Sequence, residues 1–165
     1  MKDIFILLLL LTVACGSATG QAGTEQADKV VVYKSKRQMQ LLRAEKVLRT
    51  YRVALGDNPV GHKRQEGDEK TPEGDYVLDW RNPNSLYYKS IHISYPNAQD
   101  RQQARRRGVS PGGDIMIHGR NGPVVLPDGT WKWKDWTDGC IAVTNAEMDE
   151  IWKMVKNGTP IQIHP

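Results

Sequence analysis

Phenylalanine occurs once in the 165 residues, against five tryptophans and six tyrosines, so almost every large ring carries a polar handle. Cysteine occurs twice, at positions 15 and 140. A pair so sparse does not make a disulfide scaffold. Beyond Val13 no apolar run approaches the roughly 18 residues that crossing a bilayer requires. The four histidines, His62, His92, His118 and His164, show no HExxH spacing, and the cysteines no CxxC, so a zinc site is disfavoured. Internal repeats and low-complexity stretches are absent. With 25% charged and 39% hydrophobic residues, a collagen, a coiled coil and a wholly disordered chain are excluded. One domain is expected, large enough to fold without staples. The formal charge of +4 favours an anionic partner only weakly.

The two cysteines sit in different surroundings. Cys15 follows the apolar run Ile4 to Val13, which is too short to span a membrane and fits a secretory signal. Ala14-Cys15-Gly16 at its end resembles the bacterial lipobox, although Thr12 stands where that motif has leucine. The expectation is a signal peptide over residues 1–15 with Cys15 as lipidation site, the alternative being plain secretion with Cys15 discarded. Both place the mature chain in the periplasm or cell envelope. Gly16 to Asp28 reads as a flexible tether and 29–165 as the folded domain. Outside the cytoplasm thiols tend to pair. With Cys15 lipidated or removed, Cys140 has no partner and is either buried and inert or retained for its reactivity.

The folded region alternates mostly strands with two helices. Val30 to Tyr33 is a β-branched strand. Residues 38–55 read as a hairpin turning near Ala44-Glu45-Lys46 and ending at Gly56. Asp57 to Gly74 is a long polar loop of the kind often tied to function. Tyr76 to Trp80 is a strand, Arg81 to Ser85 a turn, and Ser90 to Ser94 a strand. Asn97 to Gly108 is a capped helix with Arg101, Arg105, Arg106 and Arg107 on a basic face, read mainly as a solvated surface. Asp114 to Gly119 is a strand ending in His-Gly. The 120–136 loop carries Trp131, Trp133 and Trp136, with a turn at Asp128-Gly129. Thr144 to Glu147 is a capping box opening a helix that stops at Gly158. Pro160 to His164 is a last strand.

Thr137-Asp138-Gly139-Cys140 is the sharpest local signal. A glycine before the cysteine lets a substrate approach closely. The N–H groups of Gly139 and Cys140 can then face one oxygen, as an oxyanion site requires. A thiol needs a base, and His118, at a strand end beside Gly119, is the candidate. A backbone carbonyl near Gly119 is the expected orienting group. His62, Trp133, Trp136 and Asp138 are candidate substrate contacts. Trp131 and Trp133 read as a lid over the site or, alternatively, as an aromatic face for glycans on a non-catalytic wall-binding module. His92, between two isoleucines, reads as structural. The carboxylates Glu66, Asp68, Glu69, Glu73 and Asp75 read as a solvated loop, with a glycosidase pair as the alternative.

Ile115-Met116-Ile117-His118-Gly119, followed by Thr137-Asp138-Gly139-Cys140-Ile141, resembles the L,D-transpeptidase catalytic domain of YkuD type. Thr71-Pro72-Glu73-Gly74-Asp75-Tyr76 is similar to an upstream element of that family, and Leu55-Gly56 also fits. The segments Asp79 to Pro83 and Ser94 to Asn97 are similar to its ErfK/YafK-like subgroup. The resemblance spans roughly 29–164. It implies an α+β fold, mainly β with flanking helices around a curved sheet or sandwich. It also implies a cysteine enzyme without a cofactor, engaged in cell-wall biogenesis and cell shape. Cys140 is then the acyl-accepting nucleophile, His118 the base and Gly119 the source of the orienting carbonyl. Gly139, Cys140 and Thr137 shape the oxyanion site. The implied partner is a diaminopimelate-containing peptidoglycan stem peptide, with a second stem or an envelope protein as acceptor and no nucleic acid. If water resolves the thioester, the enzyme is instead a hydrolase, an endopeptidase or amidase. Two departures remove positive charge near the thiol: Ala142 where the family commonly has arginine, and Asp138 where it is often basic.

Overall fold

The computed structural model describes residues 25–120 and 134–165. The apolar start with Cys15, tether residues 16–24, and the Asp128-Gly129 turn with Trp131 and Trp133 lie outside the described residues. Among the described residues no helix is long and apolar enough to cross a membrane.

The strands are β1 (Lys29–Tyr33), β2 (Gln38–Arg43), β3 (Lys46–Arg52), β4 (Gly74–Ser85), β5 (Tyr88–Ile93), β6 (Met116–His118), β7 (Ile141–Ala142) and β8 (Thr159–His164). The helices are α1 (Ala98–Arg107), between β5 and β6, and α2 (Asn145–Met154), between β7 and β8. All the strands join one sheet in the order β3-β2-β1-β8-β4-β5-β6-β7. The sheet curls back on itself: just after β3, Ala54 bridges Ala142 of β7, and Gly56 bridges Thr137. The core inside the curl includes Val30, Met39, Leu41, Leu78, Ile91, Ile117, Ile141 and Ile161, closed by Met148 and Ile151 of α2. The mainly β architecture with two helices is the one expected.

Local chemistry explains most elements. The β-branched β1 is buried along Val30 to Val32 because it lies inside the sheet, between β2 and β8. The β2–β3 hairpin turns at Ala44-Glu45, both with positive φ (47° and 61°). A two-residue hairpin loop of this kind usually requires Asn-Gly. Here Asp28 supports it by accepting the Ala44 N–H at 2.8 Å. Asn97 and Thr144 open α1 and α2 through complete capping boxes with Asp100 and Glu147.

Three boundaries differ from expectation. The turn expected at Arg81 to Ser85 is a continuation of β4, carried past Pro83 by irregular pairing with β5. Bulged segments tolerate proline because the ladder there is already broken. Helix α2 stops at Met154, where Val155 turns extended; Gly158 instead lies in the approach to β8. Residues 26–28, read as the end of the tether, are bound into the fold. Ala27 N–H donates to Met154 O at 2.8 Å, and Asp28 N–H to Leu42 O at 2.9 Å.

The long 57–73 loop is pinned from inside. Lys34, only 2% exposed, spends its three protons on Gly61 O, Thr71 O and Glu73 Oε1 at 2.7, 2.8 and 2.8 Å. Burial pushes the Lys34 pKa down, and the Glu73 carboxylate opposes that shift. Asp68 gathers the buried Lys63 ammonium and the N–H groups of Arg64, Gln65 and Lys70. Burial works against its charge, but those donors hold the carboxyl below its usual range. The expected solvated carboxylates are, at Asp68 and Glu73, organising centres of the loop.

Candidate active site

The curl brings the two halves of the signature together. Strands β6 and β7 pair in parallel, Ile117 against Ile141 and His118 against Ala142. Successive side chains alternate between faces of a strand. Ile117 and Ile141 therefore share the core face, and His118 and Ala142 share the other; Cys140 immediately precedes β7.

His118 is buried, and its Nδ1 lies 2.6 Å from the carbonyl of Gly119. A carbonyl can only accept, so Nδ1 carries the hydrogen and Nε2 presents the lone pair. The Tyr87 ring stacks on the imidazole at 4.7 Å, and Trp136 meets it edge-on at 5.7 Å. Burial lowers the His118 pKa; the Gly119 carbonyl opposes the shift and the Arg120 charge adds to it.

Cys140 is partly exposed. Its Sγ accepts the Met116 N–H at 3.4 Å and lies 3.6 Å from the Asp114 carbonyl, to which the thiol donates. Burial pushes the thiol pKa up; the Met116 N–H opposes this, and the charges of Asp138 and Asp114 reinforce it. Base and thiol are both neutral at rest.

The turn before Cys140 is made by backbone crowding. Gly139 has φ 127°, and a Cβ there would lie 2.5 Å from Lys70 O. A Cβ on Gly56 would lie 2.0 Å from Glu69 O. Only glycine admits this contact between the long loop and the cysteine turn. Thr137 Oγ1 donates to Cys140 O at 2.8 Å and accepts the Gly139 N–H at 3.2 Å. The Gly139 N–H, expected to face an oxyanion, is thus directed into the turn. Thr137 braces the cysteine turn through both bonds.

Other expected contacts are placed differently. Both nitrogens of His62 are used inside the fold: Nδ1 accepts the Glu73 N–H at 2.9 Å, and Nε2 donates to Asp100 Oδ1 at 3.1 Å. It ties the long loop to α1. Trp136 packs against the His118 ring, Asp138 is exposed beside the thiol, and Trp133 and Cys15 lie outside the described residues. His92 is structural, bound to Asp79 at 2.6 Å and stacked on Trp80.

Sequence reasoning missed Tyr87, Arg120 and Asn145. Tyr87 lies in the two-residue turn between β4 and β5, outside every element read from the sequence, so its ring had no assigned direction. Arg120 is buried with its guanidinium 5.5 Å from the Trp136 ring. Among the described residues no three His, Cys, Asp or Glu side chains group as a metal site.

Residues 27–163 match the family model of the L,D-transpeptidase catalytic domain, YkuD. The chain belongs to this family. Its sequence is 29% identical to YafK of Escherichia coli K12 over 178 aligned positions, covering 94% of this chain and 64% of YafK. The helical cell shape determining protein Pgp2 of Campylobacter jejuni superposes with a TM-score of 0.60 at 26% identity, over 87% of this chain and 51% of Pgp2. L,D-transpeptidase 1 of Mycobacterium tuberculosis shares the fold, with a TM-score of 0.52 at 15% identity over 84% of this chain and 62% of that one. The chain thus spans less than two thirds of YafK and about half of Pgp2. In this chain the position two after the cysteine, Ala142, is buried and bonded to Ala54 in both directions at 2.8 and 2.9 Å. The arginine common in the family would have to bury its guanidinium there.

Proposed function

We propose that this L,D-transpeptidase domain acts on peptidoglycan stem peptides through a thioester on Cys140. Nε2 of His118 takes the thiol proton as sulfur attacks the carbonyl at the L-centre of the donor, typically diaminopimelate. The C–N bond to the terminal D-alanine breaks, and the imidazolium returns the proton to the leaving amine. An acceptor amine then attacks the thioester, a new amide forms, and the thiol is regenerated. The observation that supports the reading is the His118–Gly119 bond of 2.6 Å, which makes Nε2 the proton-accepting nitrogen, on a strand paired in parallel with the one that follows Cys140.

Asp114 and Asp138, whose charges reach the thiol, suit an incoming ammonium acceptor. That favours transfer to a second stem or to an envelope protein over hydrolysis. Signal residues 1–15 and a lipid on Cys15 place the domain at the envelope, next to its substrate. A carbapenem mimics the acyl donor, so intact-mass spectra are expected to show its mass on the wild-type protein and none on Cys140→Ala. An unmodified, folded wild type would sink the thioester reading and leave a wall-binding module. Muropeptide profiles separate the two enzymatic outcomes: transfer makes L,D cross-links, and hydrolysis by an endopeptidase or amidase removes them.

A further inference from the structure

One peptide unit links His118 to a side chain that the catalytic signature does not contain. The carbonyl accepting His118 Nδ1–H belongs to Gly119, and the N–H at the other end of that peptide belongs to Arg120. The Arg120 N–H donates to Asn145 Oδ1 at 2.7 Å. A backbone N–H needs an acceptor, so the oxygen of the carboxamide, not its nitrogen, faces this peptide. The fit is close: a Cβ on residue 119 would lie 2.5 Å from the same oxygen. Asn145 is the first residue of α2, yet the helix start is already capped by Thr144 and Glu147. Its side chain is therefore not needed as a cap.

We infer that Asn145 is a positioning residue for His118, acting through the Gly119–Arg120 peptide. The inference rests on reading His118 as the base. A peptide whose N–H is accepted by another group becomes a better acceptor at its own oxygen, because the two bonds polarise one another. The same two bonds stop the peptide from flipping, which would take the carbonyl away from Nδ1 and release the tautomer. Imidazole, peptide and carboxamide thus form a relay in which a neutral amide does the orienting that a buried carboxylate does in serine-type triads. The charge felt by the ring comes from Arg120, and Tyr87 and Trp136 pack on it.

The test compares Asn145→Ala and Asn145→Asp with wild type, each checked for a cooperative melt. Aspartate keeps an acceptor oxygen and suits the first turn of a helix. Carbapenem acylation of Cys140 is expected to slow at least about tenfold in Asn145→Ala. It should recover to within about threefold of wild type in Asn145→Asp, whose acid limb moves to higher pH because the added negative charge favours the imidazolium. Nitrogen NMR of the imidazole should show the Nδ1–H tautomer in wild type and a mixture in Asn145→Ala. The inference is overturned if Asn145→Ala acylates at the wild-type rate, if aspartate is no better than alanine, or if the tautomer is unchanged by the alanine substitution. The tautomer readout needs no activity, so an unreactive wild type would refute the transpeptidase reading while this inference is still judged.

Discussion

The backbone N–H of Met116 donates to Cys140 Sγ across 3.4 Å, while the thiol proton rests toward the Asp114 carbonyl at 3.6 Å. The sulfur is thus provided with a donor for its anion before that anion exists. Burial raises the thiol pKa and lowers that of the imidazole, so both groups rest neutral. In the proposed reaction, proton transfer then belongs to the attack on substrate.

The pH profile of acylation follows from that state. His118 must be neutral to act as base, and its pKa lies below the ordinary 6.5. The rate should be full above that value and fall only as pH drops through the lowered pKa. Intact-mass kinetics should therefore show more than half of the plateau rate at pH 6.5, and a flat region up toward pH 8.5. A rate that climbs steadily across that span would mean that free thiolate, not the thiol–imidazole pair, reacts.

Gly119→Ala should disable the base with modest harm to folding. The added methyl would meet Asn145 Oδ1 at 2.5 Å and Tyr88 Cβ at 3.1 Å, so the turn carrying the orienting carbonyl must move. Misplacement by about 1 Å can cost about 100-fold in rate, and overpacking of this kind about 1–3 kcal/mol. Acylation rate and a urea melt measured on the same protein check both figures. An unaltered rate would show that the His-Gly turn tolerates displacement.

Lys34→Met should destabilise the domain by about 3–5 kcal/mol, the cost of breaking a buried ion pair from one side. It removes the only donor described for Glu73 Oε1 and leaves two loop carbonyls, Gly61 O and Thr71 O, without their lysine proton. Denaturant titration reads the loss. Because Thr71 Oγ1 also accepts the Gly56 N–H at 3.2 Å, proteolysis within 57–73 should accelerate as the loop loosens. A loss below about 1 kcal/mol, typical of an exposed pair, would show that water replaces the lysine freely.

Ala142→Arg, which restores the arginine common in the family, should fail here. The residue is buried and paired with Ala54 on one side and His118 on the other. Forcing a guanidinium into the seam should lower the melting temperature sharply or leave the protein insoluble. A stable variant with faster acylation would show instead that the seam opens and that the missing charge limits the wild type.

Legibility in the sequence tracked how local the cause was. The cap at Asn97, the capping box at Thr144, the β-branched Val30 to Val32 and the 38–55 hairpin depend on near neighbours, and all were readable. The β4 extension through Pro83 was not, because irregular pairing with β5 replaced the turn that Asn82-Pro83-Asn84 favours by itself. His62 was misdirected for a similar reason: its partners Glu73 and Asp100 lie 11 and 38 residues away.

By itself, the sequence determined the two halves of the candidate site, His118-Gly119 and Gly139-Cys140, because the proposed base, the proposed nucleophile and the glycines beside them are chemical requirements written in residue type. It also separated Cys15, at the end of an apolar run, from Cys140, in a turn rich in glycine and polar residues. The tertiary structure alone decided what surrounds the pair. Closure of the curled sheet at Ala54–Ala142 and Gly56–Thr137 sets β7 beside β6, fills the expected arginine position, and brings Asn145 onto the peptide behind the base. Those relations are distances between segments far apart in the chain, and only packing of the whole sheet makes them short.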